Sequence, residues 1–225
     1  MDKNKLDVAA LESVIFAENY NNYIFNLILG NIHGQRVIDY GAGYGNFCVY
    51  LKSKNKDVVA IEVNKEAIQK LEESNITNYK NLEQLKIKYN TAVSLNVLEH
   101  IDDDLSVLKE LSSYVESDGK IILYLPASQI IWSELDELVN HKRRYSRKSI
   151  EKLAMNSDLK INKIISVDFI GWVVVLFSKL LHIKLDFSKN KIVFYDKFIF
   201  KYFKHLDVIF KWVIGKNLLI VLSKK

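Results

Sequence analysis

The chain reads as an α/β fold built on a mostly parallel sheet with helices on both faces, and three features of the sequence predict it. Short apolar runs alternate with helical patterns from Arg36 onward. A glycine-rich turn, Gly41-Ala42-Gly43-Tyr44-Gly45, joins the first such run to the helix after it. Polar side chains collect at the ends of the runs, where open α/β sheets bind ligands.

The first 30 residues are helical in pattern, with Leu6, Ala10, Val14 and Ala17 at helical spacing. Arg36 to Tyr40 is the first strand and Asn46 to Asn55 its helix. Asp57 to Val63 is the second strand, and Asn64 is placed to cap a helix running to about Glu73. A weaker segment, Asn78 to Leu85, is expected to hold a third strand, and Thr91 to Asn96 a fourth. The acidic run Asp102 to Asp104 suits a helix N-terminus. Gly119 to Leu125 is a fifth strand, stopped by Pro126, the only proline. Residues 127–147 then form a long connection rich in aromatic and charged groups, of the kind that serves as a lid or binding loop. A helix over Arg147 to Asn156, a strand over Ile161 to Val167, basic amphipathic helices and a last strand over Asn217 to Leu222 complete the chain.

An apolar content of 49% over 225 residues is enough for one packed domain and excludes a disordered chain. A single cysteine, Cys48, excludes an internal disulfide and a cysteine-based metal cluster, and no metal is expected. No basic-then-apolar leader opens the sequence, and Phe169 to Phe177 is too short for a membrane span, so a cytoplasmic protein is expected. The net charge of +5 conceals an asymmetry: 13 Lys and Arg face 21 Asp and Glu up to residue 140, against 19 and 6 beyond it. A basic half suits an anionic partner, either a phosphate-bearing small molecule or an anionic membrane surface touched from outside; a lysine-rich solvated surface is the plainer alternative. Nucleic acid is disfavoured, because Pro126 stands alone and no Asn/Asp-Pro-Pro-Tyr motif exists.

The glycine turn alone is weak evidence for any ligand. Its spacing departs from the dinucleotide pattern at Asn46, and Asp39 ahead of it favours an ammonium group over a pyrophosphate. Glu62, ending the second strand, can accept hydrogen bonds from ribose hydroxyls, or can be a solvated strand-end glutamate. Asn96-Val97-Leu98-Glu99-His100 places further polar groups beyond strand four.

The series VIDYGAGYGNF, VVAIEVNKEAI, SLNVLEHIDDDLSVLKEL and GKIILYLPA resembles the consecutive motifs of class I S-adenosylmethionine-dependent methyltransferases from about Arg36 to Ala127. The resemblance implies a Rossmann-like, mostly parallel seven-stranded sheet with a lid insertion after strand five. It divides the single domain into a helical cap (1–30), a cofactor-binding core (31–126) and an acceptor lid with a basic C-terminal part (127–225). It implies that Asp39, Gly41, Ala42 and Gly43 hold the methionine part of S-adenosylmethionine, that Glu62 and Val63 take the nucleoside, and that Asn96 and Val97 lie beside the methionine. Tyr20 and Asn22 would belong to a helix closing over the cofactor. Between Ser74 and Lys88, where the family often has an Asp beside the adenine, Asn81 and Glu83 are the candidates.

The sequence further resembles a branch of that family associated with glycosyltransferases and surface-polysaccharide or glycolipid assembly. The marks are Ala17 to Tyr23, Trp132 to Asp136, His141 to Tyr145, and Gly215; Asn140 stands where the branch usually has glycine. The acceptor implied is a small, anionic, sugar-containing molecule such as a nucleotide-linked sugar. A lipid-linked or quinone-like acceptor, and a cofactor-binding protein without turnover, are the other readings. An alcohol acceptor needs a base, for which His141 is the first candidate, with Asp136 fixing its tautomer; both can equally brace the lid. His100 is the second candidate base, or a helix cap. Arg143 and Arg144 can clamp a phosphate or pair with the acidic half, and Tyr145 can line the acceptor pocket or anchor the lid. Trp132, Trp172 and the aromatic stretch Phe194 to Phe203 are expected in the core.

Overall fold

The computed structural model describes residues 16–183, 185 and 188–225. The helical pattern through Leu6, Ala10 and Val14 lies outside the described residues. In chain order the elements are α1 (Glu18–Leu29), β1 (Arg36–Tyr40), α2 (Asn46–Ser53), β2 (Asp57–Ile61), α3 (Lys65–Glu73), β3 (Thr77–Tyr79) and β4 (Tyr89–Leu95). Then come α4 (Asp104–Ser113), β5 (Val115–Pro126), α5 (Glu134–Leu138), α6 (Arg147–Asn156), β6 (Leu159–Val167) and α7 (Phe169–Leu180). The chain ends with α8 (Lys189–Phe194), a π-helical stretch (Tyr195–Phe200), α9 (Lys201–Phe203), α10 (Leu206–Phe210) and β7 (Asn217–Lys224).

The seven strands form one sheet in the order β3-β2-β1-β4-β5-β7-β6. β1 to β5 pair in parallel, whereas β7 runs antiparallel to both β5 and β6. The sheet is therefore mixed and mostly parallel, as expected. The order reverses between β1 and β4, so the crevice where ligands bind such sheets opens at their carboxyl ends.

Side-chain alternation along the strands sorts two cores. Ile38, Ala92, Ile121, Leu123 and Ile220 face α4 and α6, where Leu108, Leu111, Ile150 and Leu153 meet them. Val37, Val93, Ile122, Leu219 and Val221 face the opposite side, against Ile24 and Ile28 of α1 and Phe47, Cys48 and Leu51 of α2. Strands covered on both sides read as near-continuous apolar runs, which is why RVIDY and DVVAI stand out.

Several expectations shift. The third strand is only Thr77–Tyr79, and Leu82–Gln84 is a 3-10 turn, because Asn81 starts a reciprocal cap with Gln84. β5 begins at Val115 and includes Pro126 as its last residue, where no N–H is needed and the carbonyl still accepts from Tyr145 N. The aromatic stretch is corrected most: Phe200 is buried, but Phe194, Phe198, Tyr202 and Phe203 are exposed. Trp132 and Trp172 are only partly buried.

Candidate active site

The turn after β1 owes its shape to glycine. Gly41, Gly43 and Gly45 have φ of 73°, 53° and 80°, left-handed values that glycine adopts without steric cost. A Cβ on Gly41 would lie 2.3 Å from Val97 Cγ2, so its absence lets the turn close on the segment following β4. Gly41 N donates to the Ile61 carbonyl at the end of β2, and Gly45 leads into α2.

Beneath this turn lies Asp39, 2% exposed, accepting from Cys48 Sγ at 3.1 Å. Burial, with the nearby Glu62 carboxylate adding to it against the Cys48 bond, pushes Asp39 up to about 7. Glu62 Oε2 accepts from Gly43 N at 2.7 Å, and its Oε1 from Val63 N and Asn64 N at 2.7 and 2.9 Å. A carboxylate offers about four acceptor directions, so one remains for a ligand hydroxyl. Val63 beside it is 75% exposed, an apolar surface at the carboxyl edge of the sheet. Asn96, left-handed at φ 52°, is exposed at the end of β4. Asn81 and Glu83 are both exposed after β3, and nothing in their placement favours one of them.

Above the same edge, Tyr20 of α1 shares a hydrogen bond of 2.8 Å with Tyr124 of β5. Asn217 Nδ2 of β7 donates to both hydroxyls, at 3.0 and 2.8 Å. Burial and the Tyr124 ring hold Tyr20 well above the usual phenol range, so it stays a neutral hydroxyl. Asn22 is exposed on the outer side of α1. Sequence reasoning missed Tyr124 and Asn217; the only signal was a polar group inside each of two apolar strands.

The connection after β5 is organised by Asp136, which is buried. It accepts from His141 Nδ1 at 2.8 Å, Arg144 Nε at 2.8 Å, Arg144 Nη2 at 3.1 Å and Ser133 N at 2.9 Å. Burial alone would raise this carboxyl, but the His141 and Arg144 bonds outweigh it and hold it down to about 2. An ionised Asp136 can only accept, so Nδ1 of His141 carries the proton and Nε2 presents a lone pair when the ring is neutral. That Nε2 lies 3.7 Å from Glu99 Oε1. Glu99 is fully buried, neither of its oxygens has a hydrogen-bond partner, and burial pushes it up to about 8. The His100 ring meets the His141 ring edge-on at 4.9 Å. Ligating atoms of Glu99, His100 and His141 lie within 4.8 Å of one another, the group among the described residues that could hold a cation.

The neighbouring candidates are tied into the protein. Arg144 is 4% exposed at its side chain and also donates to the Ala127 carbonyl. Arg143 pairs with Asp104 at 3.0 Å and donates to the Asp102 carbonyl, leaving its side chain 31% exposed. Tyr145 donates to Asp104 at 2.8 Å and is buried. A cavity of about 560 Å³ lies alongside, between α5 and the end of α7, lined by Trp132, Ser133, Leu135, Ser178 and Lys179.

Residues 16–164 match the model of a family described as a methyltransferase domain. Among solved structures, an S-adenosylmethionine-dependent methyltransferase of Thermotoga maritima superposes with a TM-score of 0.66 at 16% identity, covering 94% of this chain and 92% of its own. The magnesium protoporphyrin IX methyltransferase of Synechocystis PCC 6803, solved with S-adenosylhomocysteine bound, gives 0.58 at 15% identity, covering 95% and 86%. A methyltransferase of Galdieria sulphuraria assigned to sarcosine and dimethylglycine gives 0.60 at 15%, covering 92% and 86%. No curated protein matches the sequence.

Proposed function

The chain belongs to this methyltransferase-domain family, and from that premise we propose that it transfers the methyl group of S-adenosylmethionine to a hydroxyl of a small, anionic, sugar-containing acceptor such as a nucleotide-linked sugar. The observation that carries the cofactor is the cradle made by Gly41, Gly43 and Glu62, in which left-handed glycines and a carboxylate with one acceptor direction left lie at the switch point of the sheet. The donor set fits the group. Asp39 beneath Gly41, Ala42 and Gly43 suits the methionine ammonium, Glu62 the ribose, exposed Val63 the adenine face, and Asn96 and Val97 the methionine chain.

S-adenosylmethionine, when bound, supplies a methyl group on positively charged sulfur. The protein aligns the acceptor with it and excludes water. Tyr20, fixed by Tyr124 and Asn217, covers the site from α1. His141 Nε2 would take the proton of the acceptor hydroxyl as that oxygen is methylated, and Asp136 holds the ring in the required tautomer. Arg143 is the arginine with surface left for an acceptor phosphate, and Arg144 braces the lid through Asp136. His100, beside His141, is the second candidate for the proton.

Calorimetric titration with S-adenosylmethionine and S-adenosylhomocysteine, with NADH as control, tests the cofactor. Both sulfur compounds should bind and NADH should not, and Glu62→Ala should weaken binding by roughly 10- to 100-fold. With an acceptor found by screening sugar nucleotides, His141→Ala should lower kcat by about 10²- to 10⁴-fold while leaving cofactor affinity in place. Unchanged turnover would remove the base from His141.

A further inference from the structure

Twelve of the eighteen exposed large apolar side chains among the described residues fall between Phe177 and Val213, so the surface these form is local. Phe194, Phe198 and Tyr202 recur four residues apart along the outer side of the helical run from α8 to α9, and Ile209 in α10 and Trp212 and Val213 after it continue the exposure. The inner side of the same run is different. Phe200 is buried edge-on against Tyr20 and Tyr23, and Asp196 and Asp207 are buried beside it. The run is thus anchored by one side and offers the other.

Charge says what that other side meets. Asp196 and Asp207 are the only acids between residues 189 and 216. Asp196 accepts from Asn19 N and Tyr20 N, and Asp207 from Asp168 N and Phe169 N. What remains toward solvent is positive: Lys189, Lys191, Lys197 and Lys201 are exposed and Lys204 and Lys211 half-buried. Lys201 and Lys211 lie over the rings of Tyr202 and Trp212, at 5.7 and 5.6 Å, aliphatic stems on aromatic faces and ammonium groups outward. A second copy meeting this face would bring lysine against lysine. Among the described residues no helix is long and apolar enough to cross a membrane, whereas aromatic side chains interleaved with lysine on a helix lying flat match the headgroup zone of an anionic bilayer.

We propose that the exposed face of residues 188–213, with Phe177, Leu180, Leu181 and Ile183 at its side, docks the protein on a bilayer surface rich in anionic lipid, the aromatic and aliphatic side chains entering the headgroup zone and the lysines meeting lipid phosphates. Ser178 and Lys179, next to this face, line the cavity beside α5, so docking sets the acceptor lid close to the lipid. Docking does not require methyl transfer and is measured without cofactor, so its failure and that of the methyltransferase reading are separable.

The test is co-sedimentation of the full chain with phosphatidylcholine vesicles, with and without about 30 mol% phosphatidylglycerol. The protein should pellet with the anionic vesicles alone, and high salt should release much of it. Lys197→Gln and Lys201→Gln should each weaken partitioning by about fivefold. Trp212→Ser should weaken it while leaving the melting midpoint unchanged, since the ring is exposed. Equal pelleting with both vesicle types, pelleting with neither, or a concentration-dependent dimer that Trp212→Ser dissociates would overturn the proposal.

Discussion

Glu99 is the residue whose surroundings are least ordinary. Its carboxyl is fully buried beside Leu98, without a hydrogen bond to either oxygen, and is pushed up to about 8. An acid raised in the folded state holds its proton after the unfolded chain has lost it, so folding is disfavoured progressively as pH rises. Below the ordinary value near 4.5 both states are protonated and nothing is lost; between there and about 8 the loss grows, and above that it is constant. Glu99→Gln should therefore melt at a higher temperature than the parent at pH 8, with the gain shrinking toward pH 4.5, as followed by thermal unfolding across pH. A gain independent of pH would mean that burial does not govern this carboxyl. Asp136, two interactions away, has the opposite sign. Held down to about 2, it stabilises above the ordinary aspartate value near 3.8, and that contribution fades as pH falls from there toward 2. Opposite shifts in neighbouring carboxyls leave His141 between an ionised partner at Nδ1 and a protonated one near Nε2 at neutral pH.

At the level of elements, two helices are capped by residues far away in sequence. α1 has Ala17 at its N-cap, which offers no side-chain bond. Asp196, more than 170 residues later, supplies the acceptor instead, taking Asn19 N at 2.9 Å and Tyr20 N at 2.8 Å and placing negative charge at the positive end of the helix. At the start of α7 Asp207 adds to a local cap: it takes Asp168 N and Phe169 N, while Asp168 itself accepts from Gly171 N. The basic C-terminal segment thus holds the helix carrying Tyr20 against the carboxyl end of β5, where Tyr20 meets Tyr124. Asp196→Ala should cost roughly 2–3 kcal/mol, a fall of about 5–10 °C in the melting midpoint. It should also weaken S-adenosylmethionine binding in the calorimeter although Asp196 makes no bond to the cradle, and unchanged affinity would show that α1 does not cover the site. By contrast α3 was legible throughout, because Asn64 caps its own helix through Glu66 N and Ala67 N.

Over the whole molecule, the last strand is structurally central. β7 inserts between β5 and β6, antiparallel to both, so eight residues at the end of the sequence close the sheet. A chain ending at Lys216 would lose Leu218, Ile220 and Leu222 from one core and Leu219 and Val221 from the other, and would leave β5 and β6 with unpaired edges. Such a truncation should be insoluble or show no cooperative unfolding by circular dichroism; a cooperative transition would mean that the parallel half folds alone.

The sequence by itself determined the alternation of strands and helices, the glycine turn, Glu62 at its strand end and the motif order shared with the methyltransferase family. All of these are read from neighbours a few residues apart, through side-chain periodicity, helix capping and the conformational freedom of glycine. Only the tertiary structure decided that buried Glu99 faces His141, that Tyr124 and Asn217 hold Tyr20, that Asp196 and Asp207 cap helices from a distance, and that aromatic residues expected inside lie outside. Hydrogen bonds and burial between residues tens of positions apart or more depend on where the folded backbone carries them, and a local pattern of residue types holds no record of that distance.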